Sequence, residues 1–482
     1  MRSVLTRPRA TAGEQGKPGR WLLPAGLGAF ALALGLYVIY TVIHPKSFTM
    51  DPVDLAVYRS GGLIVRHVRP LYNPHLAAPL YDWAGYGKLH LPFTYTPFAA
   101  IVFAVISFVP WWLSQQLSVA VDIIALLTAL WLTLGGLGYA RDRNRLGATL
   151  LGTAALFWTE PVLRTMYLGQ VNLVLMALIL WDLCQPDTAR SRWWKGFGTG
   201  IAAGIKLVPL IFIPYLLLAR KFRQAAMACA GFAFTVLLGF VIMPKDATKW
   251  WFDGLFVQGG RTGFTGWAGN QSLDGLITRL TGSVNGAKPA WIVAAVLVGL
   301  AGVASAALLD RKGYLLPGLL MAALTGLLVS PISWDHHWVW IAPGGVTAVH
   351  YAVRAWQKGA QRAAWALGAA AVAVVAWFGA WPARLFTAKL NLGNDSLGLL
   401  WIPRNTNPVY YQWYGDRPWF TEYHWHGLVL VAGNAYVLAG LALFGLLLAT
   451  SLLIASGTKE HDDEPGTRTQ GTLRGRLRLP AA

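Results

Sequence analysis

Apolar residues in this chain come in long, nearly unbroken runs. The runs are close to the roughly 20 residues needed for a helix to cross a bilayer, and the short alternating segments of a transmembrane barrel are absent. The first run covers Trp21 to Ile43. It is too long for the core of a signal peptide and is not followed by an Ala-x-Ala-like cleavage site, so it reads as a retained span. Later runs lie at about 289–309, 314–330, 336–353, 363–382 and 427–455, with several shorter, broken ones between 93 and 243. The pattern predicts an all-α polytopic membrane protein with about 12 transmembrane helices.

The polar intervals divide the chain. Residues 1–20 are polar and basic, and are expected to be a disordered cytoplasmic N-terminus. Residues 21–455 form the membrane domain, and 456–482 a disordered cytoplasmic tail. Three long intervals, 44–92, 244–288 and 383–426, are rich in Trp, Tyr and His and read as outer loops. In the first, Leu63-Ile64-Val65-Arg66-His67-Val68-Arg69 has the mixed apolar and basic character of an interfacial helix. Short basic clusters at 141–145, 190–195 and 220–223 punctuate the rest. If every apolar run crosses, the first two clusters fall outside. If two segments within 93–219 are re-entrant or broken, all three fall inside, as the positive-inside rule prefers.

Composition agrees with a membrane location: 55% of residues are hydrophobic and only 13% charged, against about a quarter charged in soluble proteins. The net charge of +19 signals topology and attraction to anionic lipid head groups. It does not indicate nucleic-acid binding, because the basic residues are scattered between spans. Cys184 and Cys229 both fall in apolar runs and offer neither a disulfide framework nor metal-ligand spacing.

The chemistry concentrates in a few polar interruptions. Asp51-Pro52 suits a helix start, and Asp54 lies one turn on. Asp54 is a candidate general base; the alternative is an ion pair with Arg59. His336 and His337, in Ser333-Trp334-Asp335-His336-His337-Trp338, break an apolar run. They suit phosphate or hydroxyl recognition, against an alternative role as head-group-level anchors. Lys206 lies inside an apolar segment, where an unpaired ammonium costs at least about 3 kcal/mol. Its partner is expected to be a lipid phosphate or Glu160. Gln170 and Asn172 flank a helix break and satisfy freed backbone or contact a sugar. Asn270 and Gln271 follow a glycine-rich stretch and are further candidates for substrate contact.

Asp54-Leu55-Ala56-Val57-Tyr58, Gly169-Gln170-Val171-Asn172, Ile205-Lys206-Leu207-Val208-Pro209, Gly269-Asn270-Gln271-Ser272-Leu273 and Ser333-Trp334-Asp335-His336-His337-Trp338 occur in the order of the motifs of glycosyltransferase family 87. The chain resembles that family, of the GT-C class, over about residues 50–345. Within it the chain is most similar to actinobacterial polyprenyl-phosphate-mannose-dependent α-1,2-mannosyltransferases. The resemblance implies a GT-C fold and inverting transfer of mannose from polyprenyl-phosphate-mannose to a glycolipid acceptor of the phosphatidylinositol mannoside type. Asp54 would be the base, with His336 or His337 catalytic and Lys206 and Arg59 on the donor phosphate. Asp51, Glu160, Gln170, Asn172, Asn270 and Gln271 would line the substrate site. It implies no cofactor and no required metal, and places the site on the periplasmic face of a multi-pass plasma-membrane protein.

Two enzyme alternatives share the donor type: an arabinofuranosyltransferase and a lipomannan-branching mannosyltransferase. A flippase for a polyprenyl-linked glycan is the non-enzyme alternative. It would spread polar residues through the spans, whereas here they gather near the outer ends, and no internal repeat of the transporter kind is visible.

Overall fold

The computed structural model describes residues 21–43, 52–73, 84, 91–258, 261, 263–379 and 421–462. Asp51 and most of the interval 383–426 lie outside these residues, as do both chain ends. Among the described residues there are helices and only two isolated β-bridges, Thr159 with Gly379 and Asn270 with Trp334. The helices are α1 (Leu22–Ile43), α2 (Val53–Arg66), α3 (Pro97–Phe103, continued by a 3-10 segment Ala104–Phe108), α4 (Trp111–Gly136), α5 (Arg143–Phe157) and α6 (Glu160–Leu168). Next come α7 (Asn172–Leu183), α8 (Phe197–Ile205), α9 (Phe212–Leu218), α10 (Phe222–Ile242), α11 (Pro244–Trp251) and α12 (Leu273–Thr281). The last six are α13 (Val284–Arg311), α14 (Leu315–Val329), α15 (Ile341–Gln357), α16 (Gln361–Trp377), α17 (Gly427–Gly433) and α18 (Ala435–Asp462). Five are long and apolar enough to cross a membrane: α1, α4, α10, α13 and α18. The pair α6–α7, bent by 115°, makes a sixth candidate.

Packing resolves the conflict in the 93–219 region. Gly196, Gly200 and Gly204 at and along α8 pack in turn on Gln224, Ala228 and Thr235 of α10, so the two helices run in the same direction. The chain leaves α9 at Leu218 and begins α10 at Phe222. Segment 197–218 therefore enters and leaves at one end of the bundle. Helix α3 begins at the opposite end, where Thr96 donates to the Gly204 carbonyl and Pro97 meets Gly239. Helix α4 then travels about 39 Å at 1.5 Å per residue to place Gly136 against Cys184 and Leu316. Segment 97–108 thus also stays at one end. With two segments that do not cross, the clusters at 141–145, 190–195 and 220–223 share an end. Asp310 at the foot of α13 joins them, accepting from Lys221 and Tyr215.

Small residues allow this close packing. Gly26 and Gly147 let α1 and α5 touch backbone to backbone. This suits a setting where helices associate by close contact, not by expulsion of water. At the other end the interval loops grip each other: the Leu71 amide donates to Asp246 (2.9 Å) and Tyr72 stacks on Trp250.

Two boundaries differ from expectation. The last apolar run, read as one span over 427–455, is broken at Asn434, and its helix continues to Asp462. The expected interfacial segment 63–69 is the end of a longer helix, α2, which stops where Val68 takes a positive φ of 51°.

Candidate active site

The site forms where three helix interruptions meet at the end of the bundle away from the basic clusters. The first is the start of α2, carrying Asp54. The second is the α6–α7 break. There Gly169 adopts φ 66° to end α6, and a Cβ at Gly169 would come within 2.6 Å of the Leu55 side chain. Glycine is needed both for the left-handed turn and for the approach of the break to the Asp54 helix. The third is the 3-10 segment Asp335–Trp340 between α14 and α15.

Asp54 is half-buried and hydrogen-bonds the side chain of Gln170. Gln170 is itself fixed: its Oε1 accepts from Tyr58 (2.6 Å) and its Nε2 donates to Tyr95 (3.1 Å). Tyr58 lies one turn after Asp54, about 40° round the helix, so one face of α2 addresses one amide. Burial raises the Asp54 carboxyl above its ordinary 3.8, against the opposing pull of His336, Gln170, Lys206 and Arg164. No ion pair joins Asp54 to Arg59; Arg59 lies elsewhere on α2.

Opposite Asp54, Asn172 ties two interruptions together. Its Nδ2 donates to the His336 carbonyl (2.9 Å) and its Oδ1 accepts from Lys206 Nζ (2.8 Å). Lys206 also lies 2.9 Å from Nε2 of His337. The expected Lys206–Glu160 pair is not formed. Glu160 instead accepts from Tyr436 (2.9 Å) and lies beside Asp335, because the bend at Gly169 sends the start of α6 away from the α8 terminus.

The two histidines differ in environment. His336 Nδ1 is 3.0 Å from Asp335 Oδ1, and Arg164 Nε is 3.4 Å from the other Asp335 oxygen. That fixes the His336 ring and leaves Nε2 buried without a partner. His337 Nε2 is occupied by Lys206. Beyond Lys206, Asn172 and His337 lies a narrow groove whose other walls are apolar, among them Leu175, Met176, Phe212, Leu327 and Trp340.

Asn270 and Gln271, expected on substrate, are buried and engaged with backbone. Asn270 donates to the Thr265 and Pro331 carbonyls and accepts from the Ser333 amide. Gln271 donates to the Ala268 and Gly433 carbonyls and accepts from the Tyr436 and Val437 amides. They anchor the Ser333–Asp335 loop and cover the backbone exposed by the break at Asn434. Arg164, Tyr95 and Tyr436 were not anticipated. For Arg164 the one available signal was a base four residues after Glu160, in a short helix before a glycine. No three His, Cys, Asp or Glu side chains converge as a metal-ligand set among the described residues.

The site thus sets a carboxylate within electrostatic reach of Lys206 and His336, with an apolar groove beyond Lys206, Asn172 and His337. The profile of glycosyltransferase family 87 matches residues 93–331. The chain is 31% identical, over 87% of its length and 86% of the relative's, to a polyprenol-phosphate-mannose-dependent alpha-(1-2)-phosphatidylinositol pentamannoside mannosyltransferase of Mycobacterium tuberculosis. It is 33% identical to the protein of the same description from Mycolicibacterium smegmatis, over 82% and 84% of the two chains. It is 32% identical, over 65% and 73%, to an M. tuberculosis polyprenol-phosphate-mannose-dependent alpha-(1-2)-phosphatidylinositol mannoside mannosyltransferase. The chain belongs to glycosyltransferase family 87 and is a glycosyltransferase. No solved structure matches it.

Proposed function

We propose that this enzyme transfers mannose from polyprenyl-phosphate-mannose to a phosphatidylinositol mannoside, with inversion, forming an α-1,2 linkage on the outer face of the plasma membrane. The observation that carries the reading is the convergence of the Lys206 and His336 charges on the Asp54 carboxyl, each favouring its ionised form. Donor and acceptor classes follow the relatives' descriptions. The groove running from Lys206 and His337 suits an isoprenoid chain with its phosphate at the polar end. The outward orientation is supported by the shared end of the basic clusters, since the positive-inside rule favours basic clusters on the cytoplasmic side.

In the reaction, Asp54 takes the proton of the acceptor hydroxyl as its oxygen bonds to the anomeric carbon. The bond from that carbon to the donor phosphate breaks, and polyprenyl phosphate leaves with the electron pair. Lys206 and His336 Nε2 meet the charge that grows on the departing phosphate. His337 and Asn172 hold the Lys206 ammonium, and Asp335 with Arg164 orients His336. Both oxygens must be aligned at once, so Gln170, locked by two tyrosines, serves to position Asp54.

The test is a transfer assay with purified protein, offering polyprenyl-phosphate-mannose and polyprenyl-phosphate-arabinose in turn to a phosphatidylinositol mannoside. Mannosyl transfer that is lost in Asp54→Asn supports the proposal. Transfer of arabinose alone, or full activity in Asp54→Asn, refutes it.

A further inference from the structure

Arg59 has no role in the geometry just described, yet it is the most anomalous charge in the outer part of the chain. It is only 8% exposed, and its Nε and Nη1 are buried without a hydrogen-bond partner among the described residues. Arginine does not shed its proton to escape burial, and a buried charge is disfavoured unless an opposite charge or hydrogen bonds meet it.

Its position on α2 separates it from the reacting groups. Five residues after Asp54 it lies about 140° round the helix and about 7.5 Å along it. The charged groups acting most strongly on Asp54 are His336, Lys206 and Arg164, and the charge acting on Arg59 is that of Arg66. Arg59 instead shares a face with Arg66, seven residues on and about 20° away. Arg66 donates to the Ser107 carbonyl (2.9 Å) and stacks over Phe108. The segment under this face leaves Val105 and Phe108 about 70% exposed (71% and 68%), and so offers an apolar flank beside two guanidinium groups. Cation and hydrocarbon side by side match the boundary between phosphate and acyl chains of a phospholipid.

We propose that Arg59, with Arg66, forms a second anion site for the phosphodiester of a glycerophospholipid, distinct from the Lys206–His336 site for the donor phosphate. The donor phosphate must lie at the carbon being attacked, where Lys206 and His336 face Asp54. An anion held on the far face of α2 belongs to another molecule. The assignment of that molecule as acceptor rests on the mannosyltransferase reading above; the existence of the site does not.

Two measurements on the full chain test this. Native mass spectrometry after titration with phosphatidylinositol, with diacylglycerol as the phosphate-free control, counts retained lipid. Arg59→Met should lose one tightly held phosphatidylinositol and Arg59→Lys should keep it; equal retention by wild type and Arg59→Met overturns the proposal. Kinetics with a phosphatidylinositol mannoside and with an uncharged alkyl mannoside then identify the source. A rise in KM of at least about tenfold for the charged acceptor alone marks the acceptor's own phosphodiester. Lost lipid retention with both acceptor KM values unchanged marks a phospholipid of the surrounding bilayer. A raised donor KM with either acceptor overturns the separation from the donor site. If wild type transfers to neither acceptor, the mannosyltransferase reading falls while the retention result still decides the anion site.

Discussion

The ammonium of Lys206 and the imidazole Nε2 of His337 lie 2.9 Å apart, although 131 residues separate them in the chain. The contact occupies Nε2 of His337, and leaves His336 as the histidine whose Nε2 is buried without a partner among the described residues. Replacing the two should therefore give different kinetics. His336→Ala should lower kcat by about 10²-fold or more, as loss of a group meeting developing charge does. His337→Ala should mainly raise the donor KM by loosening Lys206, with partial rescue by His337→Gln, whose amide oxygen also accepts. Steady-state kinetics with varied donor distinguish the two; matching profiles would refute the division.

Asp54 must be ionised to act as a base. Burial raises its pKa above the ordinary 3.8, so its charged form is lost at a higher pH than for a free carboxylate. The acidic limb of kcat should accordingly have its midpoint above 3.8, with activity full at higher pH and falling as pH drops through that midpoint. Asp54→Asn should retain about 10⁻² to 10⁻⁴ of the activity and lose this limb. A pH–rate profile on both proteins checks it.

Gly169 combines φ 66° with contact to Leu55. Gly169→Ala should cost about 1–2 kcal/mol for the left-handed conformation alone and push the break away from α2. Because the push falls on the neighbour of Asp54, kcat should fall beyond what lost stability explains. Thermal unfolding in detergent together with activity per folded molecule measures both parts.

Gln271 should affect stability only. Gln271→Ala removes partners from the Gly433 carbonyl and the Tyr436 and Val437 amides, at about 1–3 kcal/mol for each buried group left unsatisfied. The expected result is a lower melting temperature with donor and acceptor KM values preserved. A selective rise in acceptor KM would restore Gln271 to the substrate site.

Much of the candidate site was legible residue by residue, because polar groups inside apolar runs are costly and therefore conspicuous. Asp54, Gln170, Asn172, Lys206, His336 and His337 stood out on that ground, and the three helix interruptions bring them near one another. The same ground singled out Asn270, Gln271 and Glu160, whose side chains the structure engages with protein groups. They are polar for a related reason, to satisfy buried backbone and one another, and a lone sequence does not distinguish a side chain bound to a carbonyl from one bound to a sugar. Arg164 was missed because it sits in an amphipathic helix, where a base is unremarkable. Its meaning comes from Asp335, far away in the chain.

The sequence by itself determined the class of molecule and its chemistry. Runs of hydrocarbon side chains have to be buried in lipid as helices, since the backbone finds no other partners there, and the motif order carries the glycosyltransferase family. Only the tertiary structure decided which segments return to one end of the bundle, which histidine keeps an unpartnered nitrogen among the described residues, and which partner Lys206 takes. Each of those turns on contacts between segments far apart in the chain. Periodicity and local composition report the preference of a segment for lipid or water; the glycine contacts of α8 with α10, and of Gly169 with Leu55, set the packing that brings distant polar groups within hydrogen-bonding distance.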